Sequence, residues 1–138
     1  MDRFRIAVVG IGGVGGYYGG RLAQRFAHDD KYEIIFVARG EHKQELEQQG
    51  LRLELAEETL TVRPSMVTDD PATLGKLDLI IFCVKSYSLE AVADKYASCI
   101  TADTMLLPLL NGVESVEYLQ RRFPEAQVSE LERTLGSY

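Results

Sequence analysis

The sequence IAVVGIGGVGGYYGGRLA, residues 6–23, contains the pattern Gly-x-Gly-x-x-Gly at positions 10–15. The apolar run before the glycines, 6–9, predicts a short buried strand. Apolar side chains at i, i+4 spacing follow and predict a helix with one apolar stripe: Val14, Tyr18, Leu22 and Phe26. A glycine-rich turn that follows a strand and opens a helix is typical of folds that bind a dinucleotide.

The glycines of this turn have separate physical roles. Gly10 permits the tight turn, Gly12 lets the backbone approach a pyrophosphate, and Gly15 allows the helix to pack closely on the strand. The helix N-terminus offers unpaired N–H groups and a positive dipole end to the phosphates. We therefore expect six residues to bind the cofactor: Gly10, Ile11, Gly12, Gly13, Val14 and Gly15. The alternative is a glycine-rich turn with no ligand.

Three more apolar runs follow the first, at 34–38, 77–84 and 105–110. Helical patterns lie between and after them, at 14–26, 41–49, 89–96 and 113–123, and alternating apolar residues between 51 and 62 predict a small hairpin. Continuous apolar runs are typical of strands that are buried on both faces of a sheet. The alternation predicts one α/β domain over residues 1–138, with a Rossmann-type, doubly wound, mainly parallel sheet. Pro108 predicts a distortion near the end of the fourth strand.

Arg39 follows the second strand, where folds that prefer NAD usually place an acidic residue. A guanidinium at this point is suited to bind a 2′-phosphate through paired donors. One charge-assisted hydrogen bond contributes about 1.5–3 kcal/mol, which corresponds to a preference of about ten- to a hundredfold for NADP(H). His42 and Lys43 add positive potential nearby. The alternative is an ordinary solvated arginine.

Lys85 and Asn111 follow the third and fourth apolar runs. Because ligands of open α/β sheets bind outside the carboxyl ends of the strands, both residues are candidates to contact the cofactor and a substrate. Two simpler interpretations remain open. Lys85 could be solvated before a helix, and Asn111 with Glu114 resembles a helix-capping pair.

The composition argues against several classes of protein. Lysine and arginine number 15 against 21 acidic residues, so a nucleic-acid-binding surface is not expected. No apolar run approaches the length of about 20 residues that a membrane helix needs. Cys83 and Cys99 lack the spacing of a metal site, so we expect no metal, a reduced cytoplasmic setting and a packing role for Cys83. An ATP-binding loop is disfavoured because no Gly-Lys-Ser/Thr follows the glycines.

Four segments together identify a resemblance: residues 6–23, then FVARGEH, LDLIIFCVKSYS and LLPLLNGV. From about Ile6 to Phe123 the chain resembles the N-terminal domain of the ketopantoate reductase (2-dehydropantoate 2-reductase) family. The resemblance implies reduction of ketopantoate to pantoate with NADPH, on the route to pantothenate. It implies that residues 10–15 bind the pyrophosphate, that Arg39 binds the 2′-phosphate, and that Lys85 and Asn111 contact the cofactor and the keto acid.

The chain departs from the family in length. Family enzymes are about twice as long and have a C-terminal, mostly helical domain that contributes the general-acid lysine. We therefore expect a sheet truncated after its fifth or sixth strand, no catalytic residue in this chain and little or no reductase activity. If run 105–110 becomes an exposed sheet edge, it favours a homodimer. A non-catalytic NADP(H)-binding or sensor module and a related 2-keto or 3-hydroxy acid dehydrogenase are the alternatives.

Overall fold

The computed structural model describes residues 2–110 and 114–130. Within them the strands are β1 (Phe4–Val9), β2 (Tyr32–Val37), β3 (Leu51–Glu54), β4 (Thr59–Val62), β5 (Met66–Thr68), β6 (Leu79–Phe82), β7 (Met105–Pro108) and β8 (Gln127–Val128). The α-helices are α1 (Gly13–Arg25), α2 (Gly40–Gln49), α3 (Leu89–Lys95) and α4 (Glu114–Arg122). None of the helices in this described part is long and apolar enough to cross a membrane.

The main sheet has six parallel strands in the order β5-β2-β1-β6-β7-β8. The chain moves outward from β1 to β5 on one side and returns to β6 on the other side of β1. This is the strand order of a Rossmann fold, so the doubly wound parallel sheet is confirmed. The sheet order reverses between β1 and β6, and a crevice forms at the carboxyl ends of strands that diverge in this way. The predicted hairpin is also confirmed, as the antiparallel pair β3–β4.

The central strands are buried on both faces because helices or connecting segments cover each face. On one side of β1, Ile6 and Val8 pack with Phe36 of β2 beneath α1 and the hairpin. On the other side, Ala7 and Val9 belong to the core that α3 and α4 complete. This two-sided burial explains why the strands appear in the sequence as continuous apolar runs.

The predicted apolar stripe on α1 is wrong at its first position, because Val14 is 52% exposed. The buried face of the helix consists of small residues instead: Gly15, Gly16, Gly19, Gly20 and Ala23. A Cβ added at Gly19 would lie 3.1 Å from Phe36 Cε1, and one added at Gly20 would lie 3.1 Å from Leu53 Cδ1. The glycines therefore let α1 approach the sheet and the hairpin closely, which offsets their low helix propensity.

Strand β7 differs from expectation in two respects. Strand β8 pairs with Met105 and Leu106, so the first half of β7 is not an exposed edge, and the homodimer stays a prediction. Pro108 ends β7 without distorting its pairing, and Leu109 N still donates to Phe82 O at 2.8 Å. Ser129 N donates to Leu106 O at 2.9 Å, but proline has no N–H with which to continue that ladder.

Arg5 ties the amino ends of three strands together. Its Nε lies 3.1 Å from Glu33 Oε2 of β2, and its backbone N–H donates to Asp78 Oδ2 at 2.8 Å, just before β6. The guanidinium also donates to the carbonyl oxygens of Leu74 and Lys76. The polar groups at this end of the sheet are therefore largely occupied by one another.

Tyr96 allows a test of how burial affects stability at high pH. Its ring is 3% exposed, and burial, aided by Asp69, raises the pKa of Tyr96 to about 12. The unfolded chain ionises this phenol at lower pH than the folded chain does, so stability must fall as pH rises through this interval. We expect Tyr96→Phe to make the free energy of unfolding decline less between about pH 10 and pH 12 in urea titrations. Tyr87→Phe is the control, because that ring is 85% exposed; an equal effect in both variants would contradict the prediction.

Candidate functional site

The glycine-rich turn lies where the carboxyl ends of β1, β2 and β6 meet. Gly10 N donates to Val37 O at 3.3 Å, and Cys83 N donates to Val9 O at 2.8 Å. These two bonds fix the turn between the neighbouring strands. The turn therefore sits at the reversal point of the sheet, where the topology predicts a ligand crevice.

Gly10 and Gly15 are required by the packing of the protein itself. Gly10 has a φ of +92°, and a Cβ added there would lie 2.8 Å from Cys83 O. A Cβ added at Gly15 would lie 1.7 Å from Gly10 O and 3.1 Å from Cys83 Cβ. No side chain fits at either position, so these two glycines allow the helix to begin directly against the turn.

Gly12 and Gly13 are different, because no protein contact requires glycine there. Both are exposed, neither has a positive φ, and a Cβ added at either would have nothing within 4 Å. The surface above them is open to solvent. Glycine at these positions keeps the backbone accessible to something outside the described chain.

The N-terminus of α1 is not capped by a side chain. Gly12 is its N-cap and has no side chain to accept a hydrogen bond, and the first turn contains no acidic residue. The first N–H groups of a helix lack partners within the helix, and they form the positive end of its dipole. At a glycine turn that is open to solvent, this arrangement is suited to bind an anion.

Arg39 lies beside this turn, at the N-cap position of α2. Its side chain is exposed and forms no hydrogen bond or ion pair with any residue that the structure describes. The guanidinium therefore has no protein partner among the described residues at the carboxyl end of β2, and its binding of a 2′-phosphate stays a prediction.

His42 joins α2 to the glycine turn, and the sequence analysis missed this contact. Its Nε2 lies 2.6 Å from the carbonyl oxygen of Ile11. We expected His42 only to add positive potential. The contact spans 31 residues of chain, and no local pattern indicates it.

Lys85 follows β6 at the same edge of the sheet, where its side chain is exposed and makes no hydrogen bond with the described residues. It starts a short 3-10 turn, in which Ser88 N donates to Lys85 O at 2.9 Å. Ser88 then precedes α3 as its N-cap residue but forms no side-chain cap. The predicted site residue Asn111 lies outside the described residues, so its contacts stay a prediction.

Cys83 packs against the underside of the glycine turn. Burial raises the pKa of its thiol to about 11, so the thiol is protonated and a poor nucleophile near neutral pH. Its position next to Gly10 and Gly15 agrees with a packing role. Over residues 2–110 and 114–130, no group of three or more His, Cys, Asp or Glu side chains is placed to hold a metal ion.

The sequence matches the family model described as ketopantoate reductase PanE/ApbA over residues 6–136. The chain belongs to the ketopantoate reductase family. Its description as a reductase makes this a family of oxidoreductases.

Similar proteins include enzymes named as 2-dehydropantoate 2-reductases. A 2-dehydropantoate 2-reductase of Mesorhizobium japonicum is 31% identical over 79% of this chain and 32% of its own length. The crystal structure of 2-dehydropantoate 2-reductase from Porphyromonas gingivalis is 39% identical, with a TM-score of 0.85, over 94% of this chain and 46% of that one. A ternary structure of D-mandelate dehydrogenase with NADH and anilino(oxo)acetate is 23% identical, with a TM-score of 0.74, over 91% of this chain and 39% of that one, and shows the fold alone.

This chain thus spans less than half the length of these relatives. Residues 6–136 of the chain lie within the family match, so the glycine turn, Arg39 and Lys85 all fall inside it.

The two kinds of glycine in the turn lead to a stability prediction. Gly15→Ala should lower the free energy of unfolding by about 3 kcal/mol or more, because its Cβ would overlap Gly10 O. Gly12→Ala is the matched control and should change stability by no more than about 1 kcal/mol, since its Cβ would enter open space. Urea denaturation followed by circular dichroism measures both. Equal losses in the two variants would refute this division of the glycines.

Proposed function

We propose that this chain binds NADP(H) at the carboxyl edge of the sheet, with the pyrophosphate over Gly12 and Gly13. The observation that supports this most directly is the open space above these glycines, next to the uncapped N-terminus of α1. Packing within the protein requires glycine at positions 10 and 15, but it does not require glycine at positions 12 and 13. A bound pyrophosphate would require glycine at those two positions, because it would contact the backbone N–H groups at close range.

Arg39 supports NADP(H) over NAD(H). Its guanidinium lies at the end of β2, where the ribose of a bound adenosine would lie, and it is free of other partners among the described residues. A 2′-phosphate there gains a charge-assisted hydrogen bond, whereas a 2′-hydroxyl gains a weaker one. No acidic side chain occupies positions 38–40 to accept a bond from that hydroxyl.

The proposed reaction is reduction of the carbonyl of a 2-keto acid, with ketopantoate as the first substrate to test. The bound nicotinamide would supply a hydride to the keto carbon. Lys85 follows β6 at the same edge, and its ammonium group is proposed to bind the substrate carboxylate or the cofactor. Asn111 is proposed to contact the same ligands.

The proton donor for the new hydroxyl is proposed to lie in the part of the longer relatives that this chain does not match. Reduction of a carbonyl needs both a hydride at carbon and a proton at oxygen. Orientation of the two reactants contributes about 7–11 kcal/mol to such a reaction, but only when a pocket holds both of them. The carboxyl edge described here forms an open surface at the glycine turn.

Calorimetric titration with NADPH and then NADH tests the cofactor proposal. We expect NADPH to bind at least about tenfold more tightly than NADH, and Arg39→Ala to remove most of that difference. Gly12→Ala should weaken both nucleotides, because its methyl group would occupy the space of the pyrophosphate.

Arg52→Ala is the matched control for the loss of an exposed arginine, since that side chain pairs with Glu54 on the hairpin. It should leave both affinities unchanged. Equal affinities of the wild-type chain for NADPH and NADH would overturn the NADP(H) assignment. No binding of either nucleotide would overturn the cofactor site itself.

An activity assay tests the proposal that this chain binds the cofactor while the proton donor is supplied elsewhere. We expect the 138-residue chain to bind NADPH but to show no oxidation of NADPH by ketopantoate above background at 340 nm, because the proton donor is supplied elsewhere. The longest natural form of the protein, assayed with a panel of 2-keto acids, is the positive control. Robust turnover by the 138-residue chain would contradict the proposal.

A further inference from the structure

We propose that His42 is a positioning residue that orients the peptide bond between Ile11 and Gly12 for phosphate binding. This inference rests on the proposed nucleotide site. The observation behind it is the 2.6 Å contact between His42 Nε2 and the carbonyl oxygen of Ile11. Since a carbonyl only accepts hydrogen bonds, Nε2 must be the protonated nitrogen and the donor.

Because of the geometry of the peptide bond, this contact also determines the direction of the neighbouring Gly12 N–H. All described peptide bonds are trans, so the Ile11 carbonyl and the Gly12 N–H point in opposite directions. By holding the carbonyl toward α2, His42 fixes the direction in which the Gly12 N–H points. That N–H has no acceptor among the described residues. It is therefore a donor available to a phosphate oxygen.

The side chain of Ile11 is held in the core, so the carbonyl group is the part of this residue that can still change its orientation. Its side chain is 5% exposed and packs in the core with Val8 and Phe36. This packing fixes the Cα of Ile11 but still allows the peptide that follows it to rotate. A rotated carbonyl would present its negative end to the phosphates. The His42 bond opposes that rotation.

His42 also connects the two ends of the proposed nucleotide site. It is the third residue of α2, and Arg39 is the N-cap three positions earlier, so both side chains lie on one side of the first turn. The segment that presents the guanidinium is thereby tied to the turn that presents Gly12. We expect the 2′-phosphate and pyrophosphate parts of the site to keep a fixed spacing for this reason.

The positioning role and a simple charge role give different results in nucleotide binding. If His42 positions the turn, His42→Ala should weaken NADPH and NADH by the same factor, about three- to tenfold for one hydrogen bond. If His42 only adds charge near the 2′-phosphate, the variant should weaken NADPH alone. His42→Gln retains a side-chain N–H donor and should recover most of the lost affinity. An effect on NADPH alone, or no recovery with glutamine, would overturn the proposal.

Hydrogen exchange on the nucleotide-free chain tests the same inference without any ligand. The backbone amide of Gly16, which donates to the carbonyl oxygen of Gly12 at 2.7 Å, should exchange about three- to tenfold faster in His42→Ala than in wild type, and at the wild-type rate in His42→Gln. Gln44→Ala, an exposed change on the same helix, is the matched control and should alter neither exchange nor binding. Unchanged exchange in His42→Ala would refute the positioning role even if the nucleotide proposal holds. Faster exchange in a chain that binds no nucleotide would refute the proposed function and leave the positioning role standing.

Discussion

The contact between Gly15 and the carbonyl oxygen of Gly10 determines how the rest of this domain is assembled. Any side chain at Gly15 would collide with that oxygen, so α1 starts directly on the turn that ends β1. Once the helix begins there, its glycine face meets Phe36 and the hairpin, and its uncapped N-terminus faces the carboxyl edge. One close backbone approach therefore sets both the core beneath α1 and the polar surface above the sheet.

The two sets of glycines show how a structural and a functional requirement are separated within six residues. Gly10 and Gly15 are fixed by atoms of the protein, and replacing either would disturb the fold. A Cβ added at Gly12 or Gly13 would touch nothing, so a side chain at either position would extend into open space. The measured spacing distinguishes the positions where the protein's own packing requires glycine from those where the backbone faces open space.

Much of the fold follows from the sequence, since the four apolar runs became β1, β2, β6 and β7 and the glycine motif lies where it was expected. The edge strand Met66–Thr68 was not predicted, because three residues are too few to produce an apolar run. The buried face of α1 was misassigned because hydrophobic periodicity gives no weight to glycine. The His42–Ile11 contact depends on how helix α2 meets the glycine turn in space, and a single sequence does not record that. The location of Arg39 and Lys85 beside the turn could be predicted, because each residue follows the carboxyl end of a strand.

The cluster around Arg5 gives the two edges of the sheet different properties. At the amino edge, charged groups neutralise one another, while at the carboxyl edge donors and cations remain unpaired among the described residues. Strand β1 has six residues and so separates the two edges by about 20 Å. The chain enters the domain at the amino edge. A tether attached ahead of Phe4 would thus anchor the molecule by the amino edge, where the charged groups are paired. The carboxyl edge would then face outward, which suits immobilisation on a sensor surface.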